Sequence, residues 1–190
     1  IADEGVSAFP QAVTGQMVRN FLNGDATINL FARHVGARVI IVDCGVNADF
    51  KPAEGLRIKK VGYGTANMLD GPAMSYKQAV ESLEVGIEVL LDEIPVGLDI
   101  IATGDMGIAN TTPSSAIIAC LTGMEVSRVT GKGTGLDNSG WEKKVRVIEK
   151  VLKVNKPDSL KPLEVLAKVG GFEIGAIAGL CLAAASRRIP

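Results

Sequence analysis

Leu98-Asp-Ile-Ile-Ala-Thr-Gly-Asp-Met-Gly-Ile-Ala-Asn-Thr-Thr-Pro-Ser-Ser115 is the stretch of sequence that decides the fold. Its apolar start predicts a buried strand over Leu98–Ala102, because a short apolar run bounded by turn residues is typical of a sheet interior. Thr112-Pro113 predicts the start of a helix, since proline fits the first helical position. A strand, a glycine loop and a helix in this order form the repeating unit of parallel α/β proteins.

The flanking sequence repeats this alternation of short apolar runs and longer periodic stretches. Arg38–Asp43 predicts a second buried strand, and Leu56–Val61 predicts a weaker one. Helices are predicted where apolar residues recur three or four positions apart between a capping residue and a glycine. The residues predicted to begin or end helices are Asp25, Gly36, Ser75 with Gln78, Gly123, Ser139 with Glu142, Pro162 and Gly171. The sequence therefore predicts an α/β fold with a mostly parallel sheet.

Composition argues against several classes of protein. The 190 residues suffice for one domain with its own core, and 47% hydrophobic with 22% charged residues is normal for a globular protein. A net charge of −1 without a basic cluster argues against a nucleic-acid partner, which would need clustered Lys and Arg. The most apolar stretch, Phe172–Ala185, is too short and too rich in glycine for a membrane span.

The cysteines and the two chain ends carry further expectations. Cys44, Cys120 and Cys181 are far apart and lie in apolar runs, which predicts reduced core thiols in a cytoplasmic protein instead of disulfides or a zinc site. The chain opens with Ile1, not Met, and closes at Pro190 after an apolar segment that would need covering. We therefore expect a piece of a longer protein.

Two glycine-rich segments are candidate anion sites. Gly104–Ser115 lies at the predicted carboxyl end of a strand, where open α/β sheets bind ligands, and leads into a helix whose free N–H groups suit a phosphate. Thr130–Asp137 carries three alternating glycines and a lysine, but it matches neither a dinucleotide fingerprint nor a Walker A loop. A capped helix with nothing bound and a flexible surface turn remain the alternatives for these two segments.

Lys143 and Lys144 follow the second segment, in the predicted first turn of the next helix. A cation is slightly unfavourable near a helix start, which indicates an anionic partner for one of them; a solvated charged face is the alternative. Asp43 ends a predicted strand, and a turn former at the strand end is one alternative for it. The lone His34 is more typical of a structural residue. No Gly-x-Ser-x-Gly elbow or convincing nucleophile–base pair is present.

Taken together, these segments resemble the nicotinate-nucleotide–dimethylbenzimidazole phosphoribosyltransferase family across nearly all 190 residues. The most specific strings are Gly104–Thr112 and Lys168-Val-Gly-Gly-Phe-Glu-Ile174. Further matching segments are Glu4–Gln11, Val13-Thr14, Asn29, Val35–Ala37, Asp43–Val46, Gly71–Ser75, Gly131–Gly135 and Arg187–Pro190. The resemblance implies a homodimer with a doubly wound, Rossmann-like parallel sheet and flanking helices. Residues 1–190 would be the central part of its large domain, without the family's small helical domain and C-terminal part.

The resemblance also implies a reaction. Phosphoribosyl would move from nicotinate mononucleotide to 5,6-dimethylbenzimidazole, giving α-ribazole 5′-phosphate and nicotinate in cobamide assembly. The donor's pyridinium is already a cationic leaving group, so neither a metal nor another cofactor is implied. The reaction needs a phosphate anchor, a slot for a flat base and a carboxylate that takes the base's ring proton. The family's general-base glutamate would lie beyond Pro190, so this chain would hold no catalytic residue and be inactive alone.

Position by position, the resemblance implies a substrate-binding set and a base pocket. The set for the mononucleotide is Asp105, Met106, Gly107, Ile108, Ala109, Asn110, Thr111, Gly131, Gly133 and Lys144. Asp105 stands where the family usually has Glu. Phe9 and Met17 would line the base pocket, and both are apolar here, as in relatives that activate phenol or p-cresol; a phenolic acceptor is therefore the alternative.

Three rival hypotheses remain. A dinucleotide-dependent oxidoreductase fits the sheet pattern but is disfavoured by the broken glycine fingerprint. A ribosyltransferase that uses a diphosphorylated donor is disfavoured because Asp43 is followed by Cys44, where such enzymes carry paired acids. The non-enzyme alternative is a relative that binds a nucleotide without transforming it.

Overall fold

The structure, a computed structural model, describes residues 1–190 and combines eight α-helices with two short strands. The strands pair in parallel, with Ile41 opposite Leu56, which confirms the α/β class with a small parallel sheet. The elements are α1 (Val13–Leu22), α2 (Thr27–Val35), β1 (Ile41–Asp43), β2 (Leu56–Ile58), α3 (Tyr76–Glu93), α4 (Thr111–Thr122), α5 (Val126–Val129), α6 (Asn138–Asn155), α7 (Pro162–Val169) and α8 (Phe172–Arg187).

The sheet is smaller than the sequence predicts. β1 and β2 each keep three residues of the predicted runs. Leu98–Ala102 forms no strand: its one backbone hydrogen bond runs from the Ile101 N–H to the Pro190 carbonyl, at 2.9 Å, and Ile100 is 72% exposed. The prediction of a buried strand there was wrong. An apolar run becomes a strand only where a neighbouring strand pairs with its backbone, and the single bond to Pro190 does not form a ladder.

Several predicted helix ends are confirmed. Ser75 and Gln78 form the capping box of α3: the Gln78 N–H donates to Ser75 Oγ at 3.2 Å, and the Ser75 N–H donates to Gln78 Oε1 at 3.0 Å. Gly36 and Gly123 end α2 and α4 in the left-handed conformation, both with φ of 68°. These caps depend only on residues close in sequence, so local chemistry was enough to predict them.

Other predicted helix starts were wrong. Asp25 does not cap α2; the N-cap is Ala26, whose N–H donates to the Asn29 side chain at 3.3 Å. Asp137, not Ser139 with Glu142, caps α6, and its carboxylate accepts from the Gly140 N–H at 2.7 Å. Asp and Ser are almost equally good N-caps, so the sequence alone did not decide between neighbouring candidates. Pro113 is the third residue of α4, which begins at Thr111.

Asp43 is a structural residue, which agrees with the alternative of a turn former at the strand end. One carboxylate oxygen accepts from the N–H groups of Gly45 and Val46, at 3.0 and 2.8 Å. The other lies 2.7 Å from Lys60 Nζ, which also donates to the Val46 and Ala48 carbonyls. This buried ion pair fixes the turn at the carboxyl end of β1.

Helices α3 and α8 make the most extensive contact between two elements of the fold, and they touch through small residues. Gly86 of α3 faces the backbone of Ala176, and Gly179 of α8 faces the backbone of Leu83. Gly175 lies against the side chain of Ser82. Backbones approach this closely only where side chains are absent. This packing holds the N-terminus of α8 beside the end of β1, where Phe172 covers Gly45.

Candidate functional site

Lys144 is a buried cation without a counter-charge. It is the seventh residue of α6, not part of the first turn as predicted, and only 1% of it is exposed. Its Nζ donates to Thr111 Oγ1 at 2.6 Å and to the Gly131 carbonyl at 3.2 Å. No carboxylate pairs with it, and burial lowers the pKa of Lys144. Buried cations in proteins are normally paired, so this environment suits an anion.

The second glycine segment closes over this lysine. Gly133 adopts φ of 61°, and a β-carbon on it would lie 3.6 Å from Lys144 Nζ and 3.4 Å from Thr111 Oγ1. The Trp141 indole N–H donates to the Thr130 carbonyl at 2.7 Å and anchors the start of the segment. Three regions that are distant in sequence therefore meet at one point. Lys143, the other candidate, is exposed on the outer face of α6.

The N-terminus of α4, where Thr111 contacts Lys144, carries unpaired hydrogen-bond donors. The N–H groups of Gly107, Ala109 and Thr111 have no partner within the protein, and neither do those of Gly131 and Gly133. Other N–H groups of the first segment are already used. Among them, Ile108 donates to Thr14 Oγ1 at 3.1 Å, and Asn110 donates to the Gly107 carbonyl at 3.1 Å. Unpaired N–H groups at a helix start beside a lysine form a suitable cradle for a phosphate.

Ala109 is a strained residue in this cradle. It is 7% exposed and adopts the left-handed conformation, with φ of 70°, which is uncommon for a residue with a β-carbon. Such backbone is retained only where the surroundings fix it, and it is found preferentially at functional sites. The sequence carries no signal of this strain, since alanine at this position is typical of an ordinary helix.

Two acids lie near the first segment. The exposed Asp105 carboxylate accepts from the Asn110 side-chain amide at 2.6 Å. The Glu173 carboxylate folds over the α-carbon of Gly171 at the start of α8. Burial raises the pKa of Glu173, its own backbone N–H partly opposes the rise, and the negative charge of Asp105 adds to it. The sequence predicted Asp105 as a site residue, whereas Glu173 was only part of a matching string.

We expect Glu173→Gln to raise the melting temperature at pH 7.5 and to leave it almost unchanged at pH 4. Because the pKa of Glu173 is higher in the folded state, the folded protein binds more protons than the unfolded protein in the pH window between 4 and 7.5. Its stability therefore falls as the pH rises through the window, and glutamine removes this loss. Thermal unfolding at both pH values measures the effect, with the exposed Glu142→Gln as control. Parallel pH profiles for Glu173→Gln and the unsubstituted protein would contradict the assignment.

The two residues predicted to line the base pocket are both partly exposed to solvent. Phe9 is 45% exposed, and Met17 is half-buried on α1. Neither lines the cavity of about 540 Å³ that lies between the Gly64–Gln78 region and α7, with Met74, Tyr76 and Phe172 in its wall. This cavity contains no predicted site residue. Its sequence signals were the Gly71–Ser75 and Lys168–Ile174 strings, which carried no assigned chemistry.

Other polar groups offer little additional chemistry. Burial, together with the charges of Glu173 and Asp43, raises the pKa of the Cys44 thiol to about 12, so this thiol is a poor nucleophile at neutral pH. No group of three or more His, Cys, Asp or Glu side chains is arranged to hold a metal ion. None of the helices combines the length and apolar character needed to cross a membrane.

Parallel strands, glycine segments at a helix start and a buried lysine define an α/β protein with the polar groups of an anion site. A family model described as phosphoribosyltransferase matches residues 1–190. Nicotinate-nucleotide–dimethylbenzimidazole phosphoribosyltransferases from Desulforudis audaxviator (strain MP104C) and Roseiflexus sp. (strain RS-1) are 58% and 55% identical over 190 residues. The alignments cover all of this chain and 54% of each relative, so the chain spans about half the length of these curated relatives.

Solved structures agree with the sequence comparison. The crystal structure of CobT from Thermus thermophilus superposes with a TM-score of 0.94 at 41% identity, covering 100% of this chain and 57% of that one. The chain belongs to the nicotinate-nucleotide–dimethylbenzimidazole phosphoribosyltransferase family. The resemblance inferred from the sequence strings is thereby confirmed.

Proposed function

We propose that the intact protein transfers phosphoribosyl from nicotinate mononucleotide to 5,6-dimethylbenzimidazole, as the names of its relatives say of them. The observation that carries this proposal is the buried, unpaired Lys144 among unpaired backbone N–H groups. The donor's 5′-phosphate is an anion of the size and charge that such a cradle accepts. A nucleotide-binding relative without chemistry would use the same cradle and is the second candidate.

The donor phosphate would bind between α4, the Gly131–Gly133 turn and α6. Lys144 Nζ has three N–H bonds and uses two in the free protein, so one remains for a phosphate oxygen. The N–H groups of Gly107, Ala109 and Thr111 would hold other oxygens. Holding the phosphate rigidly positions the ribose C1′ for attack, which is the main contribution this chain's residues would make.

The bonds broken and formed define what else is needed. A ring nitrogen of the base attacks C1′, and the bond from C1′ to the pyridinium nitrogen breaks with its electron pair going to nicotinate. The proton on the other ring nitrogen must leave to a carboxylate. The family resemblance assigns that carboxylate to a glutamate outside residues 1–190, so we expect this chain alone to bind the donor but not to turn it over.

The same resemblance supports proposals about the sheet architecture, the domain and the oligomeric state of the whole protein. We propose that β1 and β2 belong to a doubly wound, Rossmann-like parallel sheet in the intact protein. Residues 1–190 would be the central part of its large domain. We further propose a homodimer that acts in the cytoplasm, since three free cysteines are compatible with a reducing compartment.

Release of nicotinate by the intact protein tests the function. The assay supplies nicotinate mononucleotide with dimethylbenzimidazole, adenine or phenol as acceptor. Release that depends on the acceptor is the expected result. If the protein binds nicotinate mononucleotide but releases no nicotinate with any acceptor, the result would instead favour the non-catalytic relative.

Met17→Gln is expected to shift the acceptor preference toward benzimidazoles and away from phenols. A glutamine amide can hydrogen-bond a ring nitrogen, whereas the thioether of Met17 is only a weak acceptor. One such hydrogen bond contributes about 0.5–1.5 kcal/mol, or roughly a 2- to 12-fold change in the ratio of kcat/KM values. Competition between dimethylbenzimidazole and phenol measures that ratio. Met17→Leu is the matched control, and an unchanged ratio in Met17→Gln would remove Met17 from the base pocket.

A further inference from the structure

A single hydrogen bond links α1 to the phosphate segment. The hydroxyl oxygen of Thr14, in the first turn of α1, accepts from the Ile108 N–H at 3.1 Å. The two residues are 94 positions apart, and no other hydrogen bond joins α1 to residues 105–110. Backbone N–H groups at a helix start normally bond to local caps, to water or to a ligand. Here a side chain from a distant helix takes one of them.

The hydrogen bond between Ile108 and Thr14 lies next to the strained residue of the phosphate segment. Ile108 directly precedes Ala109, whose left-handed conformation persists only if neighbouring contacts fix it. The bond also removes the Ile108 N–H from the set of possible anion donors. The unpaired N–H groups of Gly107 and Ala109 therefore lie on either side of a residue that is held in place.

Helix α1 also packs against the turn that follows β1. Gly15 is buried, and a β-carbon on it would lie 3.4 Å from the Ala48 β-carbon, within the turn fixed by Asp43 and Lys60. Met17, a candidate base-pocket residue, lies one helical turn after Thr14 on the same helix. Thr14 therefore joins the helix that carries Met17 to the segment proposed for the donor phosphate.

We infer that Thr14 is a positioning residue that sets the separation between the acceptor base on α1 and the donor held by the Gly107–Thr111 segment. The inference rests on the proposed function and adds a residue to the same site. Attack on C1′ depends on this separation, because rate is sensitive to displacements of about 1 Å between reacting groups. Affinity for the donor depends chiefly on the Lys144 cation, which Thr14 does not contact.

The test compares Thr14→Val with Thr14→Ser in the intact protein. Valine keeps the shape of threonine but accepts no hydrogen bond, whereas serine keeps the acceptor. Thr14→Val is expected to lower kcat for dimethylbenzimidazole by roughly 10- to 100-fold and to change the KM for nicotinate mononucleotide by less than about 3-fold. Thr14→Ser should stay within about 3-fold of the unsubstituted protein in both constants. Equal losses in the two variants, or an unchanged kcat in Thr14→Val, would overturn the inference.

A second measurement does not depend on turnover. Hydrogen exchange of the Ile108 amide should be faster in Thr14→Val than in the unsubstituted protein and unchanged in Thr14→Ser. Equal exchange in all three would show that the bond is not formed, which also overturns the inference. If the unsubstituted protein releases nicotinate and Thr14→Val behaves identically, only the role of Thr14 fails. If the unsubstituted protein transfers to no acceptor, the proposed function itself fails.

Discussion

Lys144→Met should weaken binding of nicotinate mononucleotide by roughly 10- to 150-fold without unfolding the protein. A hydrogen bond to a charged group contributes about 1.5–3 kcal/mol, and each 1.4 kcal/mol corresponds to a tenfold change in affinity. Methionine retains most of the length of the lysine side chain but neither pairs with a phosphate nor donates to it. Calorimetric titration with nicotinate mononucleotide, and separately with inorganic phosphate, measures the loss.

The same substitution should leave the ligand-free protein at least as stable as before. Lys144 is buried without a counter-charge, and a buried cation loses hydration that two neutral hydrogen bonds only partly replace. Loss of ligand affinity with retained stability separates an anion site from a structural lysine. Lys143→Met is the matched control. Lys143 is adjacent to Lys144 but exposed, so its substitution should change neither the donor affinity nor the stability. Unchanged donor affinity in Lys144→Met would remove this residue from the site.

The sequence predicted a pair of lysines, and helical geometry decides which of them is buried. Lys144 shares the inner face of α6 with Ile148 and Val151, four and seven positions further on, and both are fully buried. That spacing was visible in the sequence and would have selected Lys144 over Lys143. Its partners at Thr111 and Gly131 were not predictable as contacts, since the folded chain brings them together from distant positions.

The fold predictions were correct where the structure depends on residues close in sequence and wrong where it depends on distant partners. The capping box at Ser75 and the left-handed Gly36 and Gly123 depend on nearest neighbours, and all were predicted. The Leu98–Ala102 run has strand composition, but pairing requires a partner strand, and composition carries no information on that partner. The hydrogen bond from Ile108 to Thr14 and the strain at Ala109 likewise had no local signal.

Gly86→Ala should lower the free energy of unfolding by at least about 3 kcal/mol, the upper range for overpacking in a core. A β-carbon at this position would overlap the carbonyl oxygen of Ala176, and the clash is with backbone, which cannot rotate away as a side chain can. Gly179→Ala would meet the backbone of Leu83 in the same interface and should behave alike. For a chain of this size, about 3 kcal/mol corresponds to a melting temperature lower by about 6–12 °C.

Gly15→Ala in α1 is the matched control, because its β-carbon would make an ordinary contact 3.4 Å from that of Ala48. Alanine is the better helix former there, so this variant should be equally stable or more stable by up to about 1 kcal/mol. Denaturant unfolding of the three variants, with nicotinate mononucleotide binding as a second readout, compares them directly. Equal stability of Gly86→Ala and Gly15→Ala would contradict the close approach of α3 and α8. Because that approach holds the N-terminus of α8 beside β1, an effect of Gly86→Ala on binding should accompany its effect on stability.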